Sequence, residues 1–456
     1  MRNQTVARLA LCWMVAGCGD APGVDRHDPV AERGEGPSFT PPQAEPIPAP
    51  APSGEPTPEV EDAPKTPDVV PPAAEMNDRP GPAPSPEPDP THLAGRCASL
   101  APGLYGDPSM RGPHPVGVRT VEIADPARPG RTLVTEIWYP ADPAAPTSPK
   151  VTYGLSNGDL AALAGDDSGG YFALLGMTAG DSSLLEIVET DAVRDVAMAA
   201  PDPSRGLVLF SHGFRGIRYQ STFLTVWLAS HGYVVAAPDH QGNTLTDGSE
   251  EAAVSAVNRV EDILFLTDEL VARNQAPGEF LHQAFDARRI AWTGHSFGAS
   301  MSIMAGALDG REVVVVPLGP AFDERMAVVY DPPSYDLDAA LFIIGGTADT
   351  TTPPADQQLA YDRTAAPRFS LQLDGMRHMD MTDLCGNELL RFAFDNFVDE
   401  LSDACGDSPA VYHATLQTMV TAVLGRYLAC NDDASPHLAP SWVQGLPAVS
   451  QYLADP

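Results

Sequence analysis

Basic residues are scarce in this chain. Of its 456 residues, 27 are Lys or Arg and 61 are Asp or Glu, and lysine occurs only at Lys65 and Lys150. The formal net charge is -34. Because binding to a nucleic-acid backbone needs clustered Lys and Arg side chains, this balance excludes a nucleic-acid partner. The acidic surface mainly favours solubility.

The N-terminal segment lacks an apolar run long enough to span a bilayer. Arg2 and Arg8 precede the run from Leu9 to Ala16, which is the order of an export signal. The run ends in Val15-Ala16-Gly17-Cys18, which resembles the lipobox of bacterial lipoproteins, where the cysteine is acylated. We therefore predict a lipoprotein signal peptide over residues 1–18 and a lipid anchor on Cys18. The chain would be exported and held on a membrane of the cell envelope; an ordinary secretory signal is the alternative.

Residues 19–96 have too few apolar side chains to build a core. Pro, Ala, Glu and Asp dominate the segment, so it cannot bury enough apolar surface to offset the entropy of ordering. We predict a disordered, extended linker that serves as a spacer. A partner-binding role for its short Pro motifs is the alternative.

Cysteine is sparse, with six residues in the chain. Cys12 is lost with the signal and Cys18 takes the lipid. Four cysteines remain: Cys97, Cys385, Cys405 and Cys430. An even number in an exported chain predicts two disulfides. Three pairings are possible; we favour Cys385 with Cys405, which bracket a helical segment, and Cys97 with Cys430, near the two ends of the folded domain. Free buried thiols are the alternative.

Residues 97–456 alternate short apolar runs with longer amphipathic stretches. This alternation predicts an α/β fold with a mostly parallel central sheet flanked by helices. The predicted strands are Val118–Ile123, Leu133–Tyr139, Leu207–Ser211, Val234–Ala237, Ile290–Thr293, Val313–Pro317, Leu341–Gly345 and Phe369–Leu373. A helix is predicted over Ala252–Asn274, with Val257, Val260, Leu264 and Val271 at helical spacing.

The connection between the second and third predicted strands is unusually long. We assign about residues 145–203 to an insertion. Its apolar spacing predicts short amphipathic helices around Leu160 and Leu163, around Phe172 and Leu175, and from Leu184 to Val188. The insertion could form a helical cap over an active site or a decoration packed on the sheet edge.

The sequence Gly294-His295-Ser296-Phe297-Gly298 follows a predicted strand and precedes a predicted helix, Ala299–Leu308. A strand, a sharp turn and a helix form the nucleophile elbow, in which strained geometry keeps a serine hydroxyl accessible. Gly294 and Gly298 stand where larger side chains would collide. The pattern predicts Ser296 as a nucleophile; a glycine-rich turn without a catalytic role is the alternative.

A serine hydroxyl needs a base that is oriented by an acid. Asp349 lies just past the carboxyl end of a predicted strand, where the acid belongs. Asp374, one loop later, is the rival candidate and fits a turn residue better.

The histidines downstream of Asp349 are His378, His413 and His437. His378 follows a predicted strand by a short loop, whereas His413 lies in a helix-like run. We therefore predict His378 as the base.

An oxyanion needs two preorganised amide donors, one of them from the residue after the nucleophile. That residue is Phe297. Phe214, in Ser211-His212-Gly213-Phe214 after a predicted strand, is the second candidate donor. His212 precedes the nucleophile and is expected to shape this loop.

Together these motifs resemble the bacterial platelet-activating-factor acetylhydrolase group and, more distantly, dienelactone-hydrolase-like and polyester-cutinase-like enzymes. The resemblance covers Gly117 to Cys385, except for the insertion. It is carried by the oxyanion-loop and elbow motifs above and by Ala229–Tyr233, Ala237–His240, Gly242–Thr244, Asp349 with Pro353 and Pro354, and His378 with Asp383–Cys385.

This resemblance implies the α/β-hydrolase fold, a triad of Ser296, Asp349 and His378, and an oxyanion pair of Phe214 and Phe297. It implies no metal and no organic cofactor. We expect a monomer that acts on a small ester or lipid.

Two departures concern the pocket. Ala299 stands where the family commonly has a further glycine, and Met379 and Met381 stand where it has an aromatic residue after the base. Met376, Met379 and Met381 could line an acyl site or simply pack. We predict a serine hydrolase of carboxylic esters; the alternatives are a polyester or cutinase-like hydrolase and a non-catalytic, surface-anchored binding protein on the same fold.

Overall fold

The computed structural model describes residues 97, 99–155, 185–311, 314–322, 337, 339–365, 367–387 and 404–456. The signal segment, Cys18 and the linker lie outside the described residues. So do the helices expected around Leu160 and Leu163 and around Phe172 and Leu175.

The strands of the described residues form one sheet, in the order β11-β10-β9-β8-β7-β5-β6-β2-β1-β4-β3. Their bounds are β1 Val116–Ala124, β2 Thr132–Pro140, β3 Lys150–Leu155, β4 Leu185–Arg194, β5 Leu207–Ser211, β6 Val234–Pro238, β7 Ile290–His295, β8 Val314–Leu318, β9 Ala340–Gly346, β10 Arg368–Leu373 and β11 Val449–Asp455.

The six strands from β6 across to β10 run parallel, and β2 and β11 pair antiparallel at the two sides of this block. Every residue of β5, β6, β7, β8 and β9 is buried. Parallel strands covered on both faces need continuous apolar runs, which is why these strands were readable in the sequence. The eight predicted strands and the mostly parallel sheet are confirmed; Val313, the first residue of one predicted strand, lies outside the described residues.

Helices cover both faces of the sheet. They are α1 Thr222–Ser230, α2 Ala252–Gln275, α3 Phe297–Asp309, α4 Pro354–Arg363, α5 Asp383–Gly386, α6 Pro409–Tyr427 and α7 Pro440–Val443, with 3₁₀ turns at His378–Met381 and Asp432–Leu438. Within the described ranges, no helix combines the length and apolarity needed to cross a membrane.

Alternate side chains of each central strand enter different cores. Val208 and Phe210 of β5 pack in the core that includes α1 and α6. Leu207 and Leu209 pack in the core that includes α2 and α3. Each such large apolar side chain contributes about 1.5–3 kcal/mol when it is fully buried. The two cores hold the carboxyl ends of the parallel strands in fixed positions.

The strand order reverses at β5. From β5 the chain passes to β6 on one side and then returns to place β7 on the other side of β5. A crevice opens at the carboxyl ends of the strands at such a switch point, and ligands of open α/β sheets bind there. The loops that follow β5 and β7 carry Phe214 and Ser296.

The flanks of the insertion are strands. The helix predicted from Leu184 to Val188 is wrong, because β4 begins at Leu185 and pairs parallel with β1 and antiparallel with β3. The partners of β4 are distant in sequence, so the local spacing of apolar residues did not reveal them. These flanks extend the edge of the sheet, and the centre of the insertion lies outside the described residues.

The helix predicted over Ala252–Asn274 is confirmed, but its buried face differs from the expected stripe. Val260 is buried, whereas Val257, Leu264 and Val271 are half-buried at the margins. The centre of the buried face also holds polar groups, including Arg259 and Asp262.

Candidate active site

Ser296 stands at the sharp turn between β7 and α3. Its backbone has φ 56° and ψ -120°, a conformation that is strained for a residue with a side chain. A Cβ atom at Gly294 would lie 2.5 Å from the carbonyl oxygen of Ser211, and one at Gly298 would collide with the same oxygen. The Ser296 amide donates to the carbonyl oxygen of Leu318 over 2.8 Å. The partly exposed serine is therefore held in a strained turn that leaves room only for glycine at positions 294 and 298.

Asp349 and His378 form a buried pair at the ends of β9 and β10. His378 Nδ1 lies 2.8 Å from Asp349 Oδ2. The carboxylate also accepts hydrogen bonds from the Thr351 amide over 2.9 Å and from the Thr352 amide and hydroxyl over 2.8 Å each.

The charge state of Asp349 follows from these contacts. Burial by itself raises the pKa of Asp349, but His378 and the hydrogen bonds from His378 and Thr352 outweigh it, and the pKa is lowered. An ionised Asp349 accepts from Nδ1 and so assigns the proton to that nitrogen. Nε2 of His378 then carries a lone pair and can accept a proton.

His295 joins the turn of Ser296 to the turn of His378. Its Nδ1 lies 3.0 Å from Gln220 Nε2, an amide donor, so Nε2 carries the proton and donates to the carbonyl oxygen of His378 over 3.0 Å. Burial, and then the neighbouring His378, lower the pKa of His295 to about 3. His295 therefore stays neutral and keeps this arrangement at physiological pH.

Gln220 extends the connection to the loop after β5. Its Oε1 accepts a hydrogen bond from the Gly213 amide over 3.0 Å. The next residue, Phe214, packs edge-to-face on Phe297 with ring centroids 5.5 Å apart. Phe297 is the first residue of α3, so its amide precedes the intrahelical hydrogen bonds. Within the described part of the chain, neither the Phe214 amide nor the Phe297 amide donates a hydrogen bond.

A second Ser-His-Asp chain of hydrogen bonds lies behind this loop. Ser211 Oγ is 2.9 Å from His240 Nε2, and His240 Nδ1 is 2.8 Å from Asp262 Oδ2. All three residues are buried, so this serine is closed to substrate. Arg131 donates to both oxygens of Asp262 over 2.6 Å, which fixes the carboxylate. These hydrogen bonds therefore stabilise the loop after β5.

The rival residues have other surroundings. Asp374 is exposed and accepts a long hydrogen bond of 3.4 Å from Thr347. His413 stacks on Phe223 at 3.8 Å and bonds to the Thr382 carbonyl oxygen. His437 bonds to the hydroxyl of Tyr105 over 2.9 Å.

The disulfides follow the favoured pairing: Cys97 is bonded to Cys430 and Cys385 to Cys405. The segment that carries Cys405 contacts the turn of His378. The Met379 amide donates to the Ala404 carbonyl oxygen over 3.2 Å, and the Gly406 amide donates to Asp380 Oδ2 over 2.8 Å.

Asp380, Cys385 and Cys405 are close enough to resemble a metal site. Their two sulfur atoms are bonded to each other, so these residues do not form a thiolate donor set.

Two methionines near the base belong to the core. Met376 and Met381 are fully buried in the cluster with α6, which matches the packing alternative. Met379 is half-buried.

Residues 208–454, more than half of the chain, match the model of the alpha/beta hydrolase family. The chain belongs to this family. Residues 103–262 of this α/β-hydrolase also match the model of platelet-activating factor acetylhydrolase, isoform II.

This hydrolase is also similar to two known proteins, an epoxide hydrolase and a ferulic acid esterase. Epoxide hydrolase A of Mycobacterium tuberculosis (strain ATCC 25618 / H37Rv) is 32% identical over 130 residues, which are 28% of this chain and 36% of that enzyme. The match therefore spans about a third of that enzyme's length. A solved ferulic acid esterase from Streptomyces cinnamoneus has a TM-score of 0.54 and 24% identity, over 75% of this chain and 98% of the esterase chain. At that identity, the likeness concerns the fold.

The sequence analysis of this α/β-hydrolase did not identify four residues that surround the site. His295 lies inside the elbow motif, and Thr352 follows Asp349 at a spacing typical of local side-chain hydrogen bonds, so both had a local signal. Gln220 lies in the loop after β5 but meets His295 only through the fold, and Arg259 meets this loop only through the fold, so neither had a local signal.

Proposed function

We propose that this protein hydrolyses carboxylic esters through an acyl-enzyme formed on Ser296. The observation that carries the proposal is the buried hydrogen bond between Asp349 and His378, at the same sheet edge as the strained turn of Ser296. This combination supplies a hydroxyl, a base with a defined tautomer and an ionised acid.

In the proposed reaction, His378 Nε2 takes the proton of Ser296 Oγ as the oxygen attacks the ester carbonyl. The Phe214 and Phe297 amides stabilise the oxyanion that forms. The intermediate collapses to an acyl-enzyme as His378 returns the proton to the leaving alcohol. Water, deprotonated by His378, then releases the acid and restores Ser296. Asp349 stays ionised and stabilises the imidazolium at each step.

An ester fits the site because a carbonyl under attack develops an oxyanion, for which the Phe214 and Phe297 amides are available, since neither donates to any described residue. The names of the matching acetylhydrolase family and of the similar ferulic acid esterase both describe ester cleavage. The similar epoxide hydrolase matches only 28% of the chain. Epoxides therefore serve as a comparison substrate in the test.

The proposal includes an exported, lipid-anchored location, which rests on the Cys18 motif and the Pro-rich residues 19–96. The full chain with Cys18→Ser should leave the membrane fraction and lose incorporation of labelled palmitate. Unchanged fractionation and labelling would contradict the anchor.

The test of the activity compares wild type with Ser296→Ala on p-nitrophenyl esters from acetyl to long acyl chains. We expect a loss of several orders of magnitude, about 10⁴-fold or more. Ser302→Ala is a matched control, because this buried hydroxyl is bonded to the backbone carbonyls of Thr293 and Gly298, away from the proposed nucleophile. Its activity should stay within about threefold of wild type.

Further substrates separate the alternatives. Release of soluble products from an insoluble polyester would favour the cutinase-like activity. A fluorophosphonate probe that leaves folded protein unlabelled would favour a non-catalytic binding protein. Turnover of epoxides but not of esters would overturn the proposed substrate class.

A further inference from the structure

Arg259 of α2 is fully buried behind the oxyanion loop. It forms an ion pair with none of the described carboxylates. Its Nη1 donates to the His212 carbonyl oxygen over 2.5 Å, and its Nη2 donates to the Gly213 carbonyl oxygen over 2.9 Å and to Asn243 Oδ1 over 2.6 Å. A buried charge is costly. Here two of its hydrogen bonds end on consecutive carbonyls of one loop, and two others end on the carbonyl and side-chain oxygens of Asn243.

The Gly213 carbonyl belongs to the same peptide group as the Phe214 amide. In a trans peptide the C=O and N–H bonds point in opposite directions. Fixing the Gly213 oxygen toward Arg259 therefore aims the Phe214 N–H away from the buried guanidinium. Because that N–H is the proposed oxyanion donor, Arg259 helps to set its direction.

Two other groups fix the same carbonyl. The Gly213 oxygen also accepts from the Gly216 amide over 3.0 Å and contacts His212 Nδ1 at 2.8 Å. His212 Nε2 accepts from the His240 amide over 3.2 Å, which leaves the proton on Nδ1 for the Gly213 oxygen. The bonds from His240 to Ser211 and Asp262 hold this frame in place.

Arg259 also contacts the second donor residue. Its Cζ lies 5.0 Å from the centroid of the Phe297 ring, a cation–π contact. One buried side chain thus contacts the peptide group that contains one proposed donor and the ring of the residue that carries the other. Its Nε has no hydrogen-bond partner among the described residues, so the contacts depend on the two terminal nitrogens.

We propose that Arg259 is the positioning residue of the oxyanion hole, acting through the Gly213 carbonyl and the Phe297 ring. The inference rests on the proposed ester hydrolysis. A lysine cannot reproduce it, because one ammonium group does not match the planar two-nitrogen fork that meets both carbonyls.

The test uses Arg259→Lys and Arg259→Met in the full chain. We expect kcat to fall about tenfold to a hundredfold, somewhat less than the loss of a whole oxyanion donor, while KM changes by less than about threefold. A trifluoromethyl ketone forms a tetrahedral adduct with the nucleophile, so its Ki should rise by the same factor as kcat/KM falls.

Arg289→Lys is the matched control. Arg289 is also buried and donates to the carbonyl oxygens of Leu428 and Ala101, but it lies at the amino end of β7. Its replacement should lower the melting temperature and leave kcat and Ki unchanged. If neither Arg259 variant folds, Asn243→Ser, which removes the Oδ1 acceptor of the guanidinium, should show a smaller kcat loss with the same proportional rise in Ki.

The outcomes distinguish the two proposals. Wild-type kcat and Ki in the folded variants, beside an inactive Ser296→Ala, would overturn the role of Arg259 alone. A kcat loss without a matching rise in Ki, or an equal loss in Arg289→Lys, would show a merely structural role and would also overturn it. Full activity of Ser296→Ala would overturn the proposed function itself.

Discussion

His295 Nε2 donates a hydrogen bond to the backbone carbonyl oxygen of His378 over 3.0 Å. The residue before the proposed nucleophile thereby holds the turn of the proposed base. Their ring centroids lie 4.6 Å apart. The spacing between the two turns depends on a side chain that takes no part in proton transfer.

Replacing His295 with Leu should lower kcat about tenfold and change KM little. The loss of a buried hydrogen bond costs about 1–3 kcal/mol. Here the lost bond is the one that positions the turn of His378. Steady-state kinetics on a short ester measures the effect. His413→Leu is the control, because His413 is half-buried and contacts the Thr382 carbonyl oxygen; equal kcat losses in both variants would contradict the positioning role.

Replacing Asp349 with Asn should lower kcat by about 10⁴-fold, because an amide no longer enforces the tautomer of His378. Asp374→Asn is the control, since Asp374 is exposed and its carboxylate accepts, within the described ranges, from Thr347 alone. It should keep near wild-type activity. If the Asp374 variant lost activity and the Asp349 variant kept it, the acid would be misassigned.

The two disulfides should differ in their effects. Cys385→Ser with Cys405→Ser should lower kcat several-fold, because the segment at Ala404 and Gly406 bonds to the turn of His378. Cys97→Ser with Cys430→Ser should spare kcat. The free energy of unfolding should fall by more in this second variant than in the first. The Cys97–Cys430 disulfide joins residues 333 apart in sequence, whereas Cys385 and Cys405 are 20 apart. Urea unfolding and kinetics of both double variants check this, and an unchanged kcat for the first pair would contradict it.

The stability should fall as the pH drops below about 6.5. Burial lowers the pKa of His240 to about 4, of His295 to about 3 and of His413 to about 4. Each pKa in the folded state lies below its value in the unfolded state. The unfolded state therefore binds more protons between about pH 4 and pH 6.5, and the free energy of unfolding rises with pH in this range. Each such histidine contributes about 1.4 kcal/mol per pH unit in this window.

One buried carboxyl opposes this trend. Burial raises the pKa of Asp383 to about 6, so its contribution to stability falls as the pH rises toward 6. The histidines outnumber it, and the urea midpoint should therefore be lower at pH 5 than at pH 7. An equal or higher midpoint at pH 5 would contradict this balance.

The central strands and the residues of the candidate site could be predicted from the sequence because each depends on a local pattern of residues. β5 to β9 are buried on both faces and are short apolar runs in the sequence. The Gly294 to Gly298 motif records the steric demand of one turn. Ser296, Asp349 and His378 could then be placed at strand ends from topology alone.

The parts that were missed depend on distant partners. β11 has one buried residue, Tyr452, and acquires its structure by pairing with β10. β4 has an apolar spacing that fits a helix equally well. Arg259 is a charged residue on an amphipathic helix, and its burial follows from the loop after β5, which no local pattern records.

The central claim is that Ser296 is the nucleophile, and covalent labelling tests it most directly. Folded full-length protein is treated with a fluorophosphonate, and the modified residue is identified by peptide mass spectrometry while esterase activity is followed. We predict one label per chain, on Ser296, with activity lost in proportion and no label in Ser296→Ala. Labelling at another residue, or full activity in the Ser296→Ala variant, would contradict the account.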